Sequence, residues 1–359
     1  MLLAVPLTML AVAEYFKRPY VIDFRLFYLE GAAWLAHKPL YSGVNALNMN
    51  PPSLTVLLFA PLALIPYRAA QILWFVLSVA AVAGSLRTIA RALRLSFEQT
   101  LQAAALLILM HGSLQAWAIG QLTWPVLLYP LTRAWVSYRD GRFGATGAWL
   151  APAIVAKPPL ALLALALPAG VWIPAGAISG SVTLATAAFT GLGPWRAWLH
   201  AGGQVNWLAR PFNLSLWGVA ARFTGPKARI GDLSIAWIAA VLLVGLAGWW
   251  LAGRERSADR RMFYAGLWSL LMSPLGWGYY LPLVAGPAVA IWPGSPTAVA
   301  AYILALLPVG GAPPGDPIAD SLGFAGVLLA WYAAARRNAA SPRSAARARF
   351  ENGYAPVAD

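Results

Sequence analysis

The stretch Arg68-Ala-Ala-Gln-Ile-Leu-Trp-Phe-Val-Leu-Ser-Val-Ala-Ala-Val-Ala-Gly-Ser-Leu86 decides the fold. After Arg68, eighteen residues pass without a charge, and Arg87, Arg91 and Arg94 then follow. As a helix, those residues rise about 27 Å, close to the thickness of a bilayer's hydrocarbon core. Comparable apolar runs recur along the chain, which is 60% hydrophobic and 11% charged. A transmembrane barrel would show short segments of alternating polarity, and none are visible. The chain reads as an all-α polytopic membrane protein. Residues 1–335 form one integral membrane domain, and 336–359 form a basic cytoplasmic tail expected to be disordered.

Basic clusters supply the orientation. Arg87/Arg91/Arg94, Arg133/Arg139/Arg142, Arg254/Arg256/Arg260/Arg261 and Arg336/Arg337/Arg343/Arg347/Arg349 separate or follow apolar runs and hold 15 of the 26 basic residues. The positive-inside tendency puts them in the cytoplasm. With these fixed, crossings are expected near 1–15, 68–86, 99–118, 122–138, 143–156, 158–171, 173–190, 233–252, 262–274, 279–292, 296–310 and 321–335. That is about twelve, with both termini inside. The first apolar segment lacks a basic leader and reads as a retained helix. Residues 53–66 are bracketed by Pro51-Pro52 and Pro66, too short for a crossing, and read as a re-entrant or interfacial helix. Two large outer loops result, about 16–67 and 191–232, so chemistry belongs on the outer face of an inner (plasma) membrane.

Several function classes drop out. With no cysteine there is no disulfide, thiolate nucleophile or Cys-based metal site. His37, His111 and His200 lie far apart, which argues against a histidine metal centre. The net charge of +14 is spread over loops between apolar runs, a pattern of topology signals and contact with anionic membrane lipid rather than nucleic-acid binding.

The chain has only 12 acidic residues, and most have ordinary explanations. Glu98, Asp140, Glu255, Asp259, Glu351 and Asp359 lie among cytoplasmic arginines. Glu14 is at a helix exit, Asp232 reads as a cap, and Asp316 and Asp320 belong to a Gly/Pro turn. Asp23 and Glu30 remain in the first outer loop, seven residues apart and so on one helical face. Asp23 is either a cap for a helix over Phe24–Leu35 or a general base that takes a proton from an acceptor hydroxyl.

Lys157, in Ala156-Lys-Pro-Pro, lies between apolar runs where a cation is costly. It either snorkels to the interface or meets a fixed negative charge such as a lipid phosphate, in a cavity opened by the prolines. Three more segments complete the outer face: Asn50-Pro-Pro, Gly120-Gln121, and Ser273-Pro-Leu-Gly-Trp277-Gly-Tyr279-Tyr280. Gln121 can donate to and accept from hydroxyls. The Trp and Tyr residues are either interfacial anchors or contacts for sugar and prenyl groups. The second outer loop, with Arg210-Pro-Phe-Asn-Leu-Ser-Leu-Trp-Gly, offers Arg210 as a second cation for a phosphate.

In order, Asp23-Phe-x-x-Phe-Tyr with Gly31 and Pro39-Leu-Tyr41, Asn50-Pro-Pro, Gly120-Gln121, Gly141-Arg-Phe with Gly147 and Lys157-Pro, and Ser273-Pro-x-x-Trp277 resemble glycosyltransferase family 87 over about residues 15–292. That family includes polyprenol-phosphate-mannose-dependent mannosyltransferases and related arabinofuranosyltransferases. The resemblance implies a GT-C membrane fold, a polyprenyl-phosphate sugar donor, a lipid or glycan acceptor, inversion, and no cofactor or metal. Asp23 matches the first-loop catalytic aspartate of the family, Lys157 its basic residue and Gln121 its Gly-Gln position. Glu30, Asn50, Trp277, Tyr279 and Tyr280 are expected around the substrates. One departure stands out: Tyr279 and Tyr280 occupy the region where many relatives carry a histidine.

A transporter or lipid flippase would share this hydropathy, but its ionisable groups would lie near the bilayer midplane. Here they lie at the boundaries. A non-catalytic scaffold would leave Lys157 beside a proline pair without a reason. The transferase reading requires Asp23, Gln121 and Lys157 to meet in one outward cavity open to lipid.

Overall fold

The computed structural model describes residues 22–42, 50–109, 111–205, 207–292 and 324–330, together with Ala13, Tyr15 and Ser321. The expected crossing 1–15 lies almost wholly outside the described residues. So do the crossing 296–310, residues 322, 323 and 331–335 of the crossing 321–335, and the tail 336–359. Among the described residues the architecture is helical throughout, with one isolated β-bridge, Asn213 to Trp277.

Three helices among the described residues are long and apolar enough to cross a membrane: Tyr67–Leu93, Ala169–Thr190 and Ile235–Arg254. Their outer surfaces carry large apolar side chains in the open, including Leu184 and Phe189 on the second and Leu242, Leu243, Leu246 and Trp249 on the third. Contiguous apolar exposure of this kind needs lipid rather than water as solvent. Shorter helices fill the bundle between them.

Prolines place the breaks. Thr123–Leu128 is a π-helical turn that runs into the helix Tyr129–Arg139, and Thr55–Phe59 is another. Pro125 and Pro130 lie in the first pair of elements, and Pro61 follows the second. Proline removes a ladder donor and crowds the carbonyl four residues back, and a wider turn accommodates both effects. The two helices expected at 158–171 and 173–190 divide differently. Pro158–Leu160 is a 3-10 turn, Ala161–Leu165 a short helix, and the long helix runs unbroken from Ala169 to Thr190. Pro168 precedes that helix in an extended conformation, so it sets the start, while Pro174 lies in the helix without ending it.

The three basic clusters among the described residues converge at one end of the bundle. Arg139 Nε lies 3.4 Å from Asp259 Oδ1, Trp135 Nε1 donates to the same carboxylate at 2.9 Å, and Arg139 Nη1 donates to Ala92 O at 2.8 Å. The C-terminal ends of Tyr67–Leu93 and Tyr129–Arg139 and the N-terminal end of Ala258–Met272 therefore share one face. The far ends of these helices, at Tyr67, Thr123 and Ser273, and Lys157 at the far end of the helix Phe143–Ala156, lie at the other end of the bundle.

The stretch between Ile22 and Leu62 contributes two packed pieces there. The helix Ile22–Leu35 lies against the short segment Pro52–Leu62, with Phe27 stacked on Phe59 at 4.9 Å and Tyr28 Oη donating to Ile65 O at 2.8 Å. Gly31 permits that approach, because a Cβ there would sit 2.1 Å from Phe59 O. Behind this pair stands an aromatic core of Phe24, Phe27, Phe59 and Trp74, all buried.

Candidate functional site

Local backbone chemistry aims each polar side chain. The helix His111–Ile119 ends in a Schellman arrangement: Gly120 adopts a left-handed φ of 71°, its N–H bonds Trp117 O, and Gln121 N–H bonds Ala116 O at 2.9 Å. Trp74 Nε1 fastens the same turn by donating to Gly120 O at 3.0 Å. The Gly-Gln pair is therefore a helix stop that turns Gln121 off the helix. Lys157 is set by its successor. Pro158 excludes the α region from the residue before it, so the helix Phe143–Ala156 ends and Lys157 takes φ −141° and ψ 88°.

Asp23 stands in the first turn of the helix Ile22–Leu35. Gln121 Nε2 donates to its Oδ2 from 98 residues away. Lys157 Nζ donates to Asn50 Oδ1 at 3.1 Å, and Asn50 O accepts from Tyr41 Oη at 2.6 Å. These two pairs face one cavity of about 900 Å³, whose walls are mostly apolar. Eight of the nine residues expected from sequence line it: Asp23, Asn50, Gln121, Lys157, Arg210, Trp277, Tyr279 and Tyr280.

Glu30 is the ninth, and the structure does not bring it to the cavity. Ile22, Asp23, Leu26 and Phe27 use the first turns of their helix as wall, and Glu30 lies a turn beyond. It is fully buried beside the Tyr41 hydroxyl, within electrostatic reach of Lys157. Sharing a helical face with Asp23 was not enough, because the helix runs away from the opening.

The electrostatics suit proton and phosphate handling. Burial pushes the Asp23 carboxyl up to about 6, against the opposing pull of the Gln121 hydrogen bond and the Lys157 charge. In the break between helices, burial pulls the Lys157 ammonium down to about 8, while Asp23 and Glu30 oppose it. Arg210, an exposed residue of the cavity lining, brings a second cation. A carboxylate near neutrality beside two cations can accept a proton and leave a net positive wall for an anion.

The aromatic side of the cavity is Phe212 and Trp277, with ring centroids 4.8 Å apart, followed by Tyr279 and Tyr280. Thr123 Oγ1 donates to Tyr279 O at 3.1 Å and ties this stretch to the bundle. A second, apolar cavity of about 390 Å³ has Leu165, Trp172, Gly245, Trp249, Trp268 and Met272 in its wall. Its wall neighbours the first along the chain, since Trp268 and Met272 precede Ser269 and Ser273 of the main cavity. Among the described residues, no group of three His, Cys, Asp or Glu side chains gathers to hold a metal ion.

Sequence reasoning missed Asn213 and Arg222, both buried within the stretch 207–232. A signal existed: Arg222 is a lone cation in the helix Leu216–Thr224, which is capped by Ser215 Oγ accepting from Gly218 N at 2.9 Å.

Comparison with known proteins bears on the family of the chain. The chain is similar to a polyprenol-phosphate-mannose-dependent alpha-(1-2)-phosphatidylinositol pentamannoside mannosyltransferase of Mycobacterium tuberculosis (strain CDC 1551 / Oshkosh). The two are 27% identical over 280 residues, which cover 70% of this chain and 62% of the relative's length. No solved structure matches. The family model of glycosyltransferase family 87 matches residues 49–274, which include Asn50, Gln121, Lys157 and Arg210 and leave Asp23 and Tyr279 outside. That match covers more than half of the chain, and the protein belongs to glycosyltransferase family 87.

Proposed function

We propose that this protein transfers a sugar from a polyprenyl-phosphate donor to a lipid or glycan acceptor, with inversion, at the membrane face opposite the basic clusters. One observation carries the reading: Asp23 with Gln121, and Lys157 with Asn50, face a single mostly apolar cavity. In this mechanism the donor phosphate sits between Lys157 and Arg210. The acceptor hydroxyl attacks the anomeric carbon on the face opposite the phosphate, and Asp23 takes the hydroxyl proton as the new bond forms. The glycosyl–phosphate bond breaks and its electron pair leaves on the polyprenyl phosphate, whose charge the two cations stabilise. The apolar part of the same cavity wall suits the first isoprene units. Mannose, the sugar of the mycobacterial relative, is the first donor to try. The positive-inside tendency makes the basic end cytoplasmic, which puts the cavity on the periplasmic or outer face of the plasma membrane.

The test is a purified, detergent-solubilised chain given polyprenyl-phosphate-[14C]mannose and a membrane lipid extract, with products resolved by mass spectrometry. A new glycoconjugate with inverted anomeric configuration is expected. Absence of transfer from mannose, other hexose and pentose donors alike would overturn the reading.

A further inference from the structure

The cavity wall that carries Arg210, Phe212 and Trp277 is made from two segments distant in sequence, the second outer loop and the Ser273-Pro motif. What joins them is polar and buried. Asn213 is 0% exposed. Its Nδ2 donates to Leu208 O and Pro274 O, both at 2.9 Å, and its Oδ1 accepts from Gly276 N at 2.9 Å and Ser215 N at 3.3 Å. A carboxamide has two donors and an oxygen that accepts twice, so every position is used. The backbones then pair in a short ladder, with Leu214 N to Gly276 O at 2.8 Å and Gly278 N to Phe212 O at 3.0 Å.

Arg222, 6% exposed, adds a second tie from the following helix. Its Nη1 donates to Arg210 O and Asn213 O, both at 3.1 Å, and its Nε donates to Ser321 Oγ at 2.9 Å. A buried guanidinium here fixes the main chain of the residue whose side chain faces the cavity. Burying it is costly unless its donors are used, so a position that merely filled space would favour an apolar residue. Both ties converge on the segment 210–214, with Arg210 at one end and the Trp277 partner Phe212 in the middle.

We propose that Asn213 and Arg222 form a buried clasp that positions Arg210 and Trp277 on the cavity wall, and that lipid-phosphate affinity depends on Arg222 through Arg210. Neither clasp residue touches substrate; both are positioning residues. The inference rests on the reading of Arg210 as a phosphate ligand.

The experiment is a double-mutant cycle in the full chain, with undecaprenyl phosphate in detergent micelles as the probe and tryptophan fluorescence as the signal. Arg210→Ala should weaken binding about tenfold or more, as expected for a lost charge-assisted contact. Arg222→Lys keeps the charge but cannot span the same carbonyls, and should weaken binding about three- to tenfold. The double variant should bind no more weakly than Arg210→Ala, because the effect of Arg222 passes through Arg210. Losses that multiply in the double variant would overturn the proposal. So would wild-type affinity in Arg222→Lys, or no measurable binding by the wild type. If Arg222→Lys does not melt cooperatively, Asn213→Asp replaces it in the cycle, since its carboxylate faces the same two carbonyls and is expected to couple to Arg210 in the same way. The readout is binding rather than turnover. Coupled arginines in a chain that transfers no sugar defeat the transferase reading alone, and uncoupled ones in an active enzyme defeat the clasp alone.

Discussion

Asp23→Asn removes the ionisable oxygen while keeping the side chain's shape and an acceptor for Gln121. Folding carries this carboxyl from 3.8 to about 6, a move of about 3 kcal/mol against the ionised form. The folded protein holds the proton more tightly than the unfolded chain does. Stability therefore falls as pH rises from about 4 to about 6, and the penalty is complete above that window. Asparagine carries no such penalty. The variant should melt above the wild type at pH 8, by about 4 °C for a penalty of this size, and the gap should close toward pH 4. Its transfer rate should fall by about a hundred- to ten-thousand-fold, the usual contribution of a general base. Thermal unfolding followed by tryptophan fluorescence, with initial transfer rates beside it, measures both effects. Transfer at the wild-type rate would refute the base assignment. A stability gap that does not change with pH would refute the claim that the site holds an ionised carboxylate at a cost.

The remaining expectations concern the same geometry. The pH profile of kcat/KM should be a bell, falling below about pH 6 as Asp23 takes up a proton and above about pH 8 as Lys157 loses one. Gln121→Leu removes a hydrogen bond that lowers the Asp23 value, so the acid limb should move to higher pH in rate profiles. Lys157→Met should raise the donor KM at least tenfold in initial-rate assays, because a charge-assisted phosphate contact is lost. Gly31→Ala forces a Cβ to within 2.1 Å of Phe59 O and should destabilise by about 1–3 kcal/mol in thermal melts, with the first outer loop loosened.

Much of the site was legible in the chain because its residues announce themselves against an apolar background. A carboxylate at Asp23 and a cation at Lys157 are costly near lipid, and a Gly-Gln pair after an apolar run is a helix stop. Glu30 shows the limit of that logic. Helical periodicity gave it the same face as Asp23, but periodicity does not say where along the helix the cavity ends. The division of 158–190 shows another limit. Four prolines lie at 158, 159, 168 and 174, and which of them interrupts a helix depends on whether neighbouring helices re-satisfy the freed carbonyls.

By itself, then, the sequence determined an all-helical membrane chain, the grouping of basic residues at one end and the short roster of polar residues at the other. Those conclusions follow from solvation costs that each residue meets alone, whatever its neighbours. Only the tertiary structure decided which of those residues share a cavity: Gln121 meets Asp23 across 98 positions, and Lys157 meets Asn50 across 107. It alone revealed Asn213 and Arg222, which look like ordinary loop and helix polar residues until burial makes each of their hydrogen bonds matter. Contact between distant segments is set by packing of the whole bundle, and no local pattern encodes it.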